Sequence, residues 1–307
     1  MAWGRRKEPY MDPEKTVGLV GIGLVGTAIA EILLAKGFVV IGFARREAKR
    51  RELKRLGGRA AESLGDIARA ANRVILSLTD SDAVEEVVLG SGGLLEASPG
   101  LRVIIDTTTG EPERTEALSR QLSDRGIQLI DAPVSGSSEQ IRRRQGVILI
   151  GAERTAYESC LDLFEILSQK HYYLGRAGAG SRAKLATNLI LGLNRLVLAE
   201  GLVFAERLGL DPETFLAMAR TTPAYSAAMD AKGKKMLQGD FTPQSRITQH
   251  QKDLRIMLEY AGRLGQELPL ARLHKKILEQ CIAAGEGDLD TSAVIRELRR
   301  MGKPHTT

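Results

Sequence analysis

Gly21, Gly23 and Gly26 stand in G-x-G-x-x-G spacing where the apolar run Val17-Gly18-Leu19-Val20 ends. After a strand and before a helix, glycines so spaced can bind a dinucleotide pyrophosphate. Gly21 permits the tight turn, Gly23 lets the backbone approach the phosphates, and Gly26 lets helix and strand pack closely. Gly21-Ile22-Gly23-Leu24-Val25-Gly26 is then the binding turn, with the N–H groups and positive dipole end of a helix starting at Leu24 facing the phosphates. A carboxylate about 20 positions on would hold a ribose 2′-hydroxyl. The chain instead reads Gly42-Phe43-Ala44-Arg45-Arg46. Guanidiniums suit a 2′-phosphate, so Arg45, with Arg46 as partner, points to NADP, with NAD as the alternative. The competing reading is that both arginines open a solvated basic helix continuing through Lys49, Arg50, Arg51, Lys54 and Arg55.

The elements that position this turn follow from periodicity. Ala28, Ile29, Ile32 and Leu33 mark the helix, and a strand from Phe38 to Phe43 closes a βαβ unit. Apolar strands recur at Val74-Ile75-Leu76, Val103-Ile104-Ile105, Ile127-Gln128-Leu129-Ile130 and Val147-Ile148-Leu149-Ile150, with amphipathic helices such as Pro112–Asp124 and Ala156–Leu167 between them. The alternation predicts an α/β fold with a doubly wound, mainly parallel, Rossmann-type sheet. Strand signals stop near Leu174. From Ser181 the pattern is all helical, beginning with a long helix to Leu208 ended by Gly209, then one capped by Asp211-Pro212. The expected division is an N-terminal extension over 1–15, a dinucleotide-binding domain over 16–178, and an all-α substrate and oligomerisation domain over 179–307.

At 307 residues, 43% hydrophobic and 27% charged, the chain has the composition of an ordinary globular protein. Its net charge of +6 concentrates in Arg45–Arg55 and Arg142-Arg143-Arg144. Acidic residues interleave the first run and no nucleic-acid-reading motif is present, so attraction for a polyanionic cofactor accounts for it and no nucleic-acid partner is expected. The apolar runs are broken by charge, so no membrane span is expected, nor does the N-terminus read as a signal peptide. Cys160 and Cys281 form no motif and read as reduced thiols of a cytoplasmic protein. No metal site is expected.

Three further segments carry polar chemistry: Asp131-Ala132-Pro133-Val134-Ser135-Gly136, Gly178 to Asn188, and Gln251-Lys252-Asp253-Leu254. Lys184 and Asn188 are four apart, on one face of the long helix, which starts at the domain junction, where a cleft is expected. Ser135 and Gly136 follow a strand's carboxyl end, where ligands bind in such sheets; Ser-Gly is otherwise a common turn. With the N-terminal glycines, these segments make the chain resemble the β-hydroxyacid dehydrogenase family from about Thr16 to Ile295.

The resemblance implies NADP- or NAD-dependent interconversion of a small β-hydroxyacid and its semialdehyde. Lys184 would be the catalytic acid/base and Asn188 would hold the substrate oxygen. Ser135, Gly136 and Ser137 would bind a substrate carboxylate, with Lys252 as a second positive charge; an exposed helix lysine is the competing reading there. Asp253 reads as structural. Leu78, Thr79 and Thr109 match positions that contact the cofactor. Members commonly pair through the helical half, so a homodimer or homotetramer is implied, in keeping with the apolar face Leu185, Leu189, Leu193 and Leu196.

The chain departs from the family at Ser137 for Gly, at Arg144-Gln145 for Gly-Thr, at Thr187 for Asn, and over Ser245–Gln251, where polar residues replace a Phe and a Leu. These changes point to a larger or more hydrophilic substrate than 3-hydroxyisobutyrate. An imine reductase-like enzyme and a non-catalytic NADP-binding sensor or scaffold are the alternatives. Imine reductases generally lack a lysine at the position of Lys184, which argues against the first, and retention of Lys184, Asn188 and Ser135 argues against the second.

Overall fold

The computed structural model describes residues 13–96 and 100–301. The expected extension over 1–15 therefore lies outside the described residues, apart from a single 3-10 turn at Pro13–Lys15. Two compact units divide the chain, Met1–Ser181 and Arg182–Thr307.

The first unit opens with β1 (Thr16–Val20), α1 (Leu24–Ala35) and β2 (Val39–Phe43), the βαβ unit read from the sequence. There follow α2 (Glu47–Arg55), β3 (Arg59–Ala60), α3 (Leu64–Ala70), β4 (Arg73–Leu76), α4 (Ser81–Leu89), β5 (Val103–Asp106), α5 (Pro112–Ser123) and β6 (Gln128–Asp131). The six strands form one parallel sheet in the order β3-β2-β1-β4-β5-β6. Every residue of β1, β4 and β5 is buried, as expected of central strands covered by helices on both faces. The chain reverses direction across the sheet between β1 and β4, the switch point outside whose carboxyl ends such sheets bind ligands.

The expected strand Val147–Ile150 exists, but not in this sheet. It is β8, central in a separate three-stranded sheet with β7 (Val134–Ser135), antiparallel to it, and β9 (Lys170–Tyr173), parallel to it. The short helix α6 (Ser138–Arg142) lies between β7 and β8. The helix expected over Ala156–Leu167 is two pieces, α7 (Arg154–Glu158) and α8 (Leu161–Leu167). They part where the Ser159 hydroxyl donates back to the Ala156 carbonyl and Cys160 turns into the core.

The second unit is helical. The helix α9 (Ala179–Arg207) runs 29 residues, and Gly209 beyond it takes the left-handed conformation that ends helices. Then come α10 (Pro212–Ala219), capped by Asp211 as expected, α11 (Lys234–Gln238), α12 (Ile247–Arg263), α13 (Pro269–Ala283) and α14 (Val294–Met301). By length and apolar composition α9 is the one described helix able to cross a membrane. Its Leu196, Leu198, Ala199 and Leu202 belong instead to this unit's core, with Leu216, Ile247, Leu254, Leu278 and Val294.

Candidate functional site

In the first unit the glycine turn is fixed by backbone contacts. Gly21 has φ +95°, and a Cβ on it would stand 2.2 Å from the Ser77 carbonyl oxygen at the end of β4. A Cβ on Gly26 would stand 1.9 Å from the Gly21 carbonyl oxygen. Around Gly23 a Cβ would meet nothing within 4 Å, and Gly23 caps α1 with no side-chain hydrogen bond. The turn is thus closed on the protein side and open above Gly23, beside an uncapped helix N-terminus whose first N–H groups lack intrahelical partners. That is the arrangement a pyrophosphate fits, so Gly21 to Gly26 suit a dinucleotide.

At the end of β2, Arg45 and Arg46 are exposed. Their loop is held by Arg50, which donates from Nη1 to the carbonyls of Ala44 (2.7 Å) and Arg45 (3.3 Å). Arg50 is a positioning residue that the sequence reading left in the solvated helix. The loops after β4 and β5 are tied together: the Leu78 N–H donates to Thr108 Oγ1 at 3.1 Å, and the Thr108 N–H donates to Asp106 Oδ1 at 2.9 Å. Thr108 therefore supports the loop holding Leu78 and Thr79, while its neighbour Thr109 is half-exposed.

Ser135 ends β7 and is half-buried, followed by Gly136 at φ +151°. Ser137 also starts a helix. Its hydroxyl accepts the Gln140 N–H (3.2 Å) and its own N–H donates to Gln140 Oε1 (2.9 Å), a capping box that starts α6. Arg144 replaces a family glycine yet keeps a glycine-like backbone at φ +59°. Its guanidinium donates to the carbonyls of Ile166 (2.8 Å) and Glu165 near the end of α8.

Asp131, at the end of β6 and 1% exposed, receives the Ser181 N–H (2.8 Å) and hydroxyl (2.7 Å), with the backbone N–H groups of Gly178 and Gly180. It thereby caps the start of α9. Burial pushes its carboxyl up to about 6, against the pull of those hydrogen bonds.

In the second unit, Lys184 and Asn188 are buried one turn apart on α9. The Asn188 amide donates to Asp253 Oδ2 at 3.0 Å, and the Lys252 ammonium lies 3.1 Å from Asp253 Oδ1. Asp253, read from sequence as structural, thus joins the two expected site residues. Desolvation lowers the Lys184 ammonium to about 8; Asp253 opposes the shift, while Arg195 and Lys252 assist it. The Thr187 hydroxyl turns back to the carbonyls of Ala183 and Lys184. In the polar segment that precedes Lys252, Ser245 faces inward: its N–H donates to Asp290 and its hydroxyl meets that of Thr291 at 3.1 Å. Asp290 also takes the buried Lys232 ammonium at 2.8 Å. The serine in place of a family phenylalanine therefore serves an internal polar cluster. Among the described residues no cluster of metal-ligating side chains occurs.

Residues 16–175 match the family model for the NAD binding domain of 6-phosphogluconate dehydrogenase. Residues 178–298 match that for the NAD-binding region of NADP-dependent 3-hydroxyisobutyrate dehydrogenase. The chain is 34% identical to 2-(hydroxymethyl)glutarate dehydrogenase of Eubacterium barkeri over 80% of its own length and 82% of the relative's. It is 31% identical to 2-hydroxy-3-oxopropionate reductase of Escherichia coli over 80% and 84%. Among solved structures, Psf3 in complex with NADP+ and 2-OPP superposes with a TM-score of 0.85 at 25% identity, covering 92% of this chain and 99% of that one. With these two family models spanning residues 16–175 and 178–298 and relatives more than 30% identical, the chain belongs to the β-hydroxyacid dehydrogenase family of NAD(P)-dependent oxidoreductases.

Proposed function

We propose that the protein interconverts a small β-hydroxyacid and its semialdehyde, preferring NADP to NAD, with Lys184 as general acid/base. The observation that carries this reading is the buried Lys184 ammonium, brought to about 8 by desolvation and one turn from an asparagine held by Asp253. A lysine so placed exchanges its proton near neutral pH, which an exposed lysine does not. The nicotinamide cofactor, when bound, supplies or accepts the hydride. In reduction Lys184 Nζ gives a proton to the carbonyl oxygen and becomes a neutral amine; in oxidation it takes the proton from the hydroxyl. One amide hydrogen of Asn188 goes to Asp253, leaving the other for the substrate oxygen. The Ser135 hydroxyl, the Gly136 N–H and the Ser137 hydroxyl, which accepts from Gln140 and keeps its own hydrogen to donate, would take the substrate carboxylate, with Lys252 as countercharge. Arg45 and Arg46, exposed on a loop braced by Arg50, suit a 2′-phosphate.

Pairing through the helical unit also belongs to the proposal. Leu185, Leu189 and Leu196 of the expected face pack into this unit's own core; Ile190, Val197 and Phe204 on α9 instead recur every seventh residue and are 62%, 66% and 63% exposed, an apolar stripe that a second copy would cover.

The test is oxidation of NADPH and NADH against methylmalonate, tartronate and succinic semialdehydes and glyoxylate, for the parent and Lys184→Ala. The expected result is turnover of one of these acids, faster with NADPH, and abolished in the variant while NADPH still binds. Tight NADPH binding without turnover by the parent, or turnover that survives in Lys184→Ala, would overturn it.

A further inference from the structure

Beneath Lys184 the helical unit holds a pair of imidazoles that the proposed chemistry does not use. On α9, Lys184, Asn188, Gly192 and Arg195 follow at intervals of four, four and three, so they form one stripe. On α12, His250 precedes Asp253 by three and shares its face. The helices meet at two successive rungs. At one, Asn188 donates to Asp253. At the next, one turn along α9, Gly192 meets His250: a Cβ on Gly192 would stand 2.3 Å from His250 Nε2 and 2.8 Å from its Cε1. The same Cβ would stand 3.0 Å from Cε1 of His274, on α13. The two rings lie 5.1 Å apart, tilted by 51°. Both histidines are more than nine-tenths buried, and His250 Nε2 and His274 Nδ1 have no hydrogen-bond partner among the described residues.

A buried polar atom left unsatisfied is destabilising, so two apolar side chains would fill this gap more favourably. The groups around the rings explain why they stay neutral. Burial opposes protonation of His250 most, and Arg195, the neighbouring imidazole and Lys184 add to it. Burial and Arg195 bring His274 down to about 4. The acidic groups nearby are engaged, Asp253 by Asn188 and Lys252, and Asp290 by Lys232.

We propose that Gly192, His250 and His274 are a positioning rung that sets the spacing of α9 and α12 at which Asp253 engages Asn188 and Lys252, and that the acid/base behaviour of Lys184 depends on that spacing. The proposal deepens the role given to Lys184 above and rests on it. Asp253 favours the Lys184 ammonium, so a change of rung changes that contribution.

The experiment is competitive acetylation of Lys184 across alkaline pH, read by mass spectrometry, on the full-length parent, Gly192→Ala, His250→Ala and the double variant. Gly192→Ala overfills the rung and His250→Ala empties it. Each is expected to change the ammonium-to-amine ratio of Lys184 at fixed pH about tenfold, one pH unit in its titration. The double variant, in which the added methyl enters the space the ring left, is expected to return towards the parent. NADPH affinity stays unchanged throughout. An unchanged Lys184 titration in folded His250→Ala, or effects that simply add in the double variant, would overturn the rung. Acetylation needs no substrate. A parent without turnover but with the expected displacements would therefore sink the proposed reaction and leave the rung standing.

Discussion

Replacing Lys184 by methionine is expected to make the protein more stable and inactive at once. Methionine has a similar length and no charge, so it fills the site without the cost of holding an ammonium in the interior. The gap between the ordinary 10.5 and about 8 corresponds to about 3 kcal/mol, at about 1.4 kcal/mol per pH unit. Its sign follows from proton binding. The folded lysine has the lower proton affinity, so below about 8 it is charged in both states and the full cost stands. Between about 8 and 10.5 the unfolded chain binds more protons, and folding becomes more favourable as pH rises. The advantage of Lys184→Met is therefore about 3 kcal/mol at neutral pH and shrinks to about 1.4 kcal/mol near pH 9.5. Urea unfolding followed by far-UV circular dichroism, with an m-value of about 2 kcal/mol/M, would show the midpoint rising by about 1.5 M at neutral pH. A variant no more stable than the parent at neutral pH, or an advantage that does not narrow in alkali, would refute the claim that Lys184 is held against its desolvation.

Four shorter tests follow from other parts of the molecule. Arg45→Glu is expected to weaken NADPH about tenfold to a hundredfold and leave NADH nearly untouched, since a charge-assisted hydrogen bond to phosphate contributes about 1.5–3 kcal/mol; titration calorimetry with both cofactors decides it. The Asp131 carboxyl, pushed up from 3.8 to about 6, costs the parent about 3 kcal/mol as pH rises through that window. Asp131→Asn is expected to lose this dependence while melting lower, because its amide hydrogens face the backbone donors that the carboxylate accepts. Arg144→Gly relieves a left-handed residue, worth about 1–2 kcal/mol, and removes two charged donors to carbonyls, each worth about 1.5–3 kcal/mol. The hydrogen bonds outweigh the strain, so a net loss of about 1 kcal/mol or more in chemical denaturation is the expected result. Val197→Glu is expected to halve the apparent mass in size-exclusion chromatography with multi-angle scattering, and an unchanged oligomer would remove the α9 stripe from the interface.

The parts legible in the sequence were those that a short stretch dictates by itself. Gly21 and Gly26 could be read because backbone packing admits nothing larger there, and the central strands because burial on both faces demands unbroken apolar runs. The capping box was equally legible, since Ser137 and Gln140 stand three apart. Contacts between distant segments left no local trace. Asp253 meets Asn188 across 65 positions, and Arg144 keeps its positive φ through carbonyls at Glu165 and Ile166. The strand β9, Lys170–Tyr173, alternates exposed with half-buried residues and is stabilised by aromatic packing, with Tyr157 and Tyr173 centroids 5.0 Å apart, rather than by an apolar run.

The two ends of the nucleotide turn differ in how freely evolution can alter them. At Gly21 and Gly26 any side chain collides with main-chain oxygen, so mutation there is purged whatever cofactor is in use. Arg45 and Arg46 are exposed, outside the core, and their loop is braced by a third arginine acting on backbone carbonyls. That brace does not read the identity of the side chains it supports. Lineages can therefore exchange residues 45 and 46 under shifting selection while the phosphate cradle stays frozen, and a laboratory library confined to these two codons should retain the folded state in most of its members.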